Sequence, residues 1–201
     1  MNMKPIDAAF GATLAAFCLG SLAGALITAL SSSFRGFMLL LINLRVLAPV
    51  QSTAEFGKLA LMMLIFLNNC IPVALSFAYP LIIGKTHWTP PMRKVMMVRL
   101  LTAFSLLTAG LLGFFNLGAT LMLVEELKGQ TALNAILQTS WIHAPLEFLF
   151  VLACVAEPLR LTRRARSVDD IAKFLRSDTS LLAACLAGLI VSAAIEVFAA
   201  L

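Results

Sequence analysis

Five long apolar runs, each bounded by charged or turn-forming residues, set the pattern of this chain. They cover about 8–30, 59–83, 98–124, 133–159 and 179–201. A helix needs about 20 apolar residues to cross the hydrocarbon of a bilayer, because each residue advances it by only about 1.5 Å. All five runs reach that length. Ser31-Ser32-Ser33 closes the first, Lys58 and Gly84 bracket the second, and Glu125-Glu126 follows the third. The fourth ends at a basic cluster, and Asp178-Thr179-Ser180 supplies N-cap residue types ahead of the fifth. Between the first two runs, 37–50 is apolar but interrupted by Asn43 and Arg45 and closed by Pro49. That stretch is too short to span, so it predicts an interfacial or re-entrant helix. Were it a further span, every downstream segment would be inverted. In 167–176, Val168, Ile171, Phe174 and Leu175 recur at helical spacing and predict a short surface helix. The expected fold is therefore all-α: one integral membrane domain over 1–201, a five-span helical bundle with short interfacial helices.

Composition agrees, with 61% hydrophobic and 12% charged residues and a mean hydropathy of +0.96. Soluble domains carry about 25% charged residues. The net charge of +5 does not point to nucleic acid, because no continuous basic face accompanies it. Instead it orients the chain. The connection 84–94 carries Lys85, Arg93 and Lys94 without an acid, and the one after the fourth run carries Arg160, Arg163, Arg164, Arg166, Lys173 and Arg176. The connection holding Glu125 and Glu126 has Lys128 as its single base. Positive charge accumulates on the cytoplasmic side, so a cell-membrane protein with a cytoplasmic N-terminus and an extracytoplasmic C-terminus is expected. The first run lacks a small-residue cleavage site and is expected to be retained. Cys18, Cys70, Cys154 and Cys185 all fall in apolar runs without metal-type spacing, so they read as small hydrophobes.

Small residues mark where helices touch. Gly20 and Gly24 stand four apart in the first run, as do Ala184, Gly188 and Ser192 in the last. Such stripes bring backbones close in lipid, where packing drives association. The spacing serves contacts inside one chain or a homodimer seam equally well.

The chemistry-bearing residues lie in a polar island, Gln138 to Glu147, within the fourth run. Ser140, His143 and Glu147 share one helix face by their spacing, and Pro145 loosens the helix beside them. Asn68 and Asn69 with Pro72 in the second run, and Asn116 between Gly113 and Gly118 in the third, are the polar groups at comparable depth. Together they predict a polar core that either fixes helix register or handles an ion or ligand. Zinc sites use three or four protein ligands, and His87, the other histidine, lies in a connection; no metal or other cofactor is expected. Neither HExxH nor GxSxG occurs, so an enzyme is not expected. Glu196, near the end of the fifth run, reads as a carboxylate reaching the interface or as a partner for a group inside the bundle.

Phe66-Leu67-Asn68-Asn69, then Asn116-Leu117-Gly118, then His143-Ala144-Pro145-Leu146-Glu147 followed by Arg160, resembles the stage II sporulation protein M family in order and spacing. Ile142, Ala144 and Leu117 replace the Pro, Gly and Gly usual there. The resemblance implies a five-span membrane protein. It also implies a non-enzymatic scaffold or assembly factor that organises envelope or cell-wall-remodelling partners, as a homodimer. From another class comes a small transporter, channel or lipid-handling protein built on the Asn/His/Glu core. Both predict the lipid bilayer as the surroundings and other membrane or envelope proteins as partners of the scaffold.

Overall fold

A computed structural model describes residues 5–42, 56–85, 90–123, 143–164 and 179–199. Among them the regular structure is helical: α1 Pro5–Leu30, α2 Ser32–Ile42, α3 Lys58–Lys85, α4 Pro90–Leu112, α5 His143–Val155, α6 Glu157–Arg164 and α7 Thr179–Ala199. A π-helical segment, Gly113–Ala119, extends α4. Four helices are long and apolar enough to cross a membrane, over Ala8–Leu30, Lys58–Ile83, Val95–Leu123 and Thr179–Phe198. Only 17–28% of the residues in their apolar windows are buried inside the protein, so most of each helix turns leucine, isoleucine and phenylalanine outward. Water would not tolerate that exterior and a bilayer does. The chain is a polytopic helical membrane protein.

Several boundaries differ from expectation or are only partly described. Of the fourth run, the described part is α5, which breaks at Ala156 and resumes as α6, while 133–142 lies outside the described residues. Pro158 explains the break, because it has no N–H to offer the carbonyl of Cys154. The interfacial or re-entrant helix expected over 37–50 starts earlier, at Ser32, and is described to Ile42. Ser31 joins it to α1 with little interruption: its Oγ accepts from Phe34 N at 3.2 Å, and its backbone N–H still bonds Ile27 O at 3.0 Å. One serine thus ends one helix and caps the next. Finally, α4 begins inside the basic connection, at Pro90, a residue suited to a first helical turn. The surface helix expected over 167–176 lies outside the described residues.

Two packing units build the bundle. Where α1 meets α4 and its π segment, a Cβ on Gly20 would overlap the Gly110 backbone, and one on Gly24 the Phe114 backbone. Cβ atoms on Gly113 and Gly118 would overlap Phe17 and Ser21 of α1. Residue numbers rise together along this seam, so α1 and α4 run parallel. On the other side α7 packs on α5 and α3. Phe150 meets Gly188, and Cys154 meets Cys185, which makes α5 and α7 antiparallel. Phe17, Val73, Ala109, Val151, Leu152 and Leu189 form a shared core between the units. Tucked under α4, α6 buries Leu161 against Ile83, Met97 and Leu101. Met38 of α2 closes on Ala119 and Leu123.

Candidate functional site

Two polar clusters occupy the two ends of α5. At its start Pro145 falls within the first described turn of α5, a position that proline tolerates. The helix therefore forms through it and carries Glu147 into the bundle, half-buried. The side chain of Asn69 on α3 hydrogen-bonds the Glu147 carboxylate, and Glu196 on α7 lies close enough to act on it electrostatically. Three helices converge here. Lys58, at the start of α3, places its Nζ 5.9 Å from the centre of the Phe198 ring near the end of α7, which ties the same two helices further along.

The remaining residues of the expected polar core are distributed differently. Asn68 and Asn116 occupy exposed positions, not a buried core. Asn116 lies in the π segment, where the wider turn shifts the register of every following side chain. Ser140 lies outside the described residues, and of His143 only the backbone, opening α5, is described. The small-residue stripes resolve into internal contacts where they are described. Gly20 and Gly24 face α4 of the same chain, not a second copy, and Gly188 lies under the Phe150 ring of α5. Ser192 is buried, whereas Ala184 is exposed.

At the other end of α5 lies a cluster that sequence reasoning missed. Arg160, counted above among the loop charges, is 8% exposed and its partner Glu157 is 1% exposed. Arg160 Nη1 donates to Glu157 Oε2 at 2.9 Å and to the carbonyl of Ala153 at 3.2 Å. The guanidinium thus folds back over the break at Ala156 and hydrogen-bonds a carbonyl beside it. An ion pair removed from water is held together only when such extra hydrogen bonds accompany it. Arg160 Nε is buried and has no acceptor. Near the pair, Cys154 of α5 and Cys185 of α7 are buried in the same core cluster. The sequence signal for the ion pair was Glu157-Pro158-Leu159-Arg160 directly abutting an apolar run, with no polar turn residues between.

Among the described residues no group of three or more His, Cys, Asp and Glu side chains is arranged to hold a metal ion. No protein family, curated protein or solved structure matches this chain.

Proposed function

We propose that this protein is a non-enzymatic scaffold or assembly factor of the cell membrane, in keeping with its resemblance to the stage II sporulation protein M family. The observation that supports the reading is the way polar side chains in the bundle turn to one another. Arg160 bonds Glu157 and a backbone carbonyl, and Asn69 bonds Glu147. Thr13, Ser21, Thr28 and Ser76 likewise donate to carbonyls within their own helices. Such contacts fix helix positions and present a constant, mostly apolar exterior to neighbours in the membrane. Under this reading the fourth run completes a five-span topology with a cytoplasmic N-terminus, and partners dock on the outward helix faces. With Gly20, Gly24 and Gly188 engaged internally, the proposed homodimer uses another face, and Ala184 is the stripe residue still open to it.

A second reading has one observation in its favour. Glu147 and Glu196 bring two carboxylates from different helices together in an apolar bundle, and such a pair attracts a proton or a small cation. Affinity isolation from native membranes in mild detergent separates the two. For a scaffold, Glu147→Ala lowers thermal stability and loses co-purifying envelope proteins in the same proportion. A variant that stays folded and retains every partner removes Glu147 from any scaffold role.

A further inference from the structure

Asn68 is exposed on α3, ten residues from Lys58 and fifteen from Ile83, the ends of the apolar span. At about 1.5 Å per residue it stands roughly 15 Å from the nearer end. That depth is hydrocarbon, and so short a side chain does not reach water from it. Among the described residues nothing hydrogen-bonds its amide. Pro72 follows one turn later and has no N–H to give the carbonyl of Asn68. One residue thus leaves an amide and a main-chain carbonyl without their usual partners, and lipid can bond neither.

The exposed positions that follow Asn68 have a definite spacing. Asn68, Ile71, Leu75, Ala78 and Ile82 are all exposed, and they advance by three, four, three and four residues. That alternation is the seam of two helices wound around each other, with Asn68, Leu75 and Ile82 in one heptad position and Ile71 and Ala78 in the other. Val73 and Ser76, which fall between them, are buried in the bundle, so the strip lies apart from the face on which α3 packs. Of the four spanning helices α3 also has the smallest buried share, 17%. A single asparagine in such a seam fixes the register and the number of strands.

We propose that this strip of α3 is the seam of a homodimer, in which Asn68 hydrogen-bonds Asn68 of the partner subunit across a two-fold axis. Two copies inserted in the same direction carry this residue at the same depth. An amide both donates and accepts, so each supplies what the other lacks. A partner of another sequence would have to bring a polar group to that level, whereas a second copy brings it by symmetry. Ala78 leaves room for the two backbones to approach. The inference rests on the homodimer of the scaffold reading and gives it a face, since Gly20, Gly24 and Gly188 are engaged within one chain. Asn116 is the natural reference: it too is exposed, yet positions 112, 113, 119 and 120 around it are buried or half-buried, so no strip continues from it.

Energy transfer between donor- and acceptor-labelled full-length chains, mixed in liposomes over a range of protein-to-lipid ratios, measures the dimer. Wild type and Asn116→Leu should dimerise at the same ratio. Asn68→Leu should need about threefold to twentyfold more protein per lipid, and Ala78→Phe should also weaken the dimer, because its ring holds the backbones apart. Both side chains are exposed, so the unfolding temperature of the diluted monomer should match wild type, which separates loss of the seam from loss of the fold. A wild-type chain that stays monomeric at every ratio overturns the seam and takes the homodimer out of the scaffold reading with it. A dimer that Asn68→Leu leaves unchanged, or that Asn116→Leu weakens as much, overturns the seam and leaves the homodimer standing.

Discussion

The seam between α1 and α4 and the contact between α5 and α7 solve the same problem by opposite means. In the first, Gly20, Gly24, Gly113 and Gly118 let backbone meet backbone, and polarity is hidden by local bonds such as Ser21 Oγ to Phe17 O at 2.9 Å and Thr28 Oγ1 to Gly24 O at 2.7 Å. In the second, side chains do the joining: Phe150 over Gly188, and carboxylates at either end of α5. Lipid supplies no hydrophobic force between helices, so association depends on packing and on polar bonds. The α1–α4 seam draws on packing alone and tolerates no added atoms. The α5–α7 side draws on both and concentrates its ionisable groups where helices converge.

Disrupting the ion pair should give the largest effect. Arg160→Met takes the guanidinium away from a buried carboxylate, a loss of about 3–5 kcal/mol, read as a lowered unfolding temperature in detergent. Glu157→Leu combined with Arg160→Met should recover most of that loss, since the buried carboxylate is then removed together with its guanidinium. A double variant no more stable than Arg160→Met would mean that the pair is not the cause. Next comes the seam: Gly118→Ala pushes a methyl group into the Ser21 backbone, which cannot yield as a side chain would, and should cost roughly 3 kcal/mol. Gly188→Ala meets the Phe150 ring instead, and pairing it with Phe150→Leu should restore stability, whereas no comparable rescue exists for Gly118→Ala. That difference in rescue sharpens the contrast between backbone and side-chain contact.

A smaller effect is expected from Asn69→Ala, about 0.6–1.7 kcal/mol, the range of single hydrogen bonds between membrane helices. A double-mutant cycle with Glu147→Ala should show most of that energy as coupling; additive losses would place the two side chains apart. The smallest effect belongs to Gly11→Ala in α1, where a Cβ meets nothing within 4 Å. Helix propensity alone then acts, with a gain of about 0.5–1 kcal/mol.

How much of this was legible depended on the range of the interaction. Local signals worked: the Ser31 boundary and the start of α3 at Lys58 follow from runs and caps alone. Gly20 and Gly24 were legible as packing residues, yet their partners Gly110 and Phe114 depend on a tertiary register that spacing does not encode. Asn116 was grouped with the polar residues by depth alone, which does not say which way its side chain turns, and it lies exposed on the π segment. Arg160 was misread because arginine after an apolar run ordinarily marks the end of a span, and only the fold shows it turned back on Glu157 and Ala153. Glu147 was placed in a polar cluster by depth and helix face, while the choice of Asn69 over its neighbour Asn68 awaited the rotation of α3.

The central claim is that the polar groups within the bundle hold the helices and do not carry a permeating ion. Flux of protons and monovalent cations through proteoliposomes tests it most directly, with the wild-type chain and Glu147→Gln reconstituted at equal density. The account predicts that both match protein-free vesicles under an imposed pH gradient and membrane potential, while Glu147→Gln shows a lowered unfolding temperature. Flux in the wild-type vesicles that Glu147→Gln abolishes, with the variant still folded, would contradict it and make the Glu147–Glu196 pair an ion site.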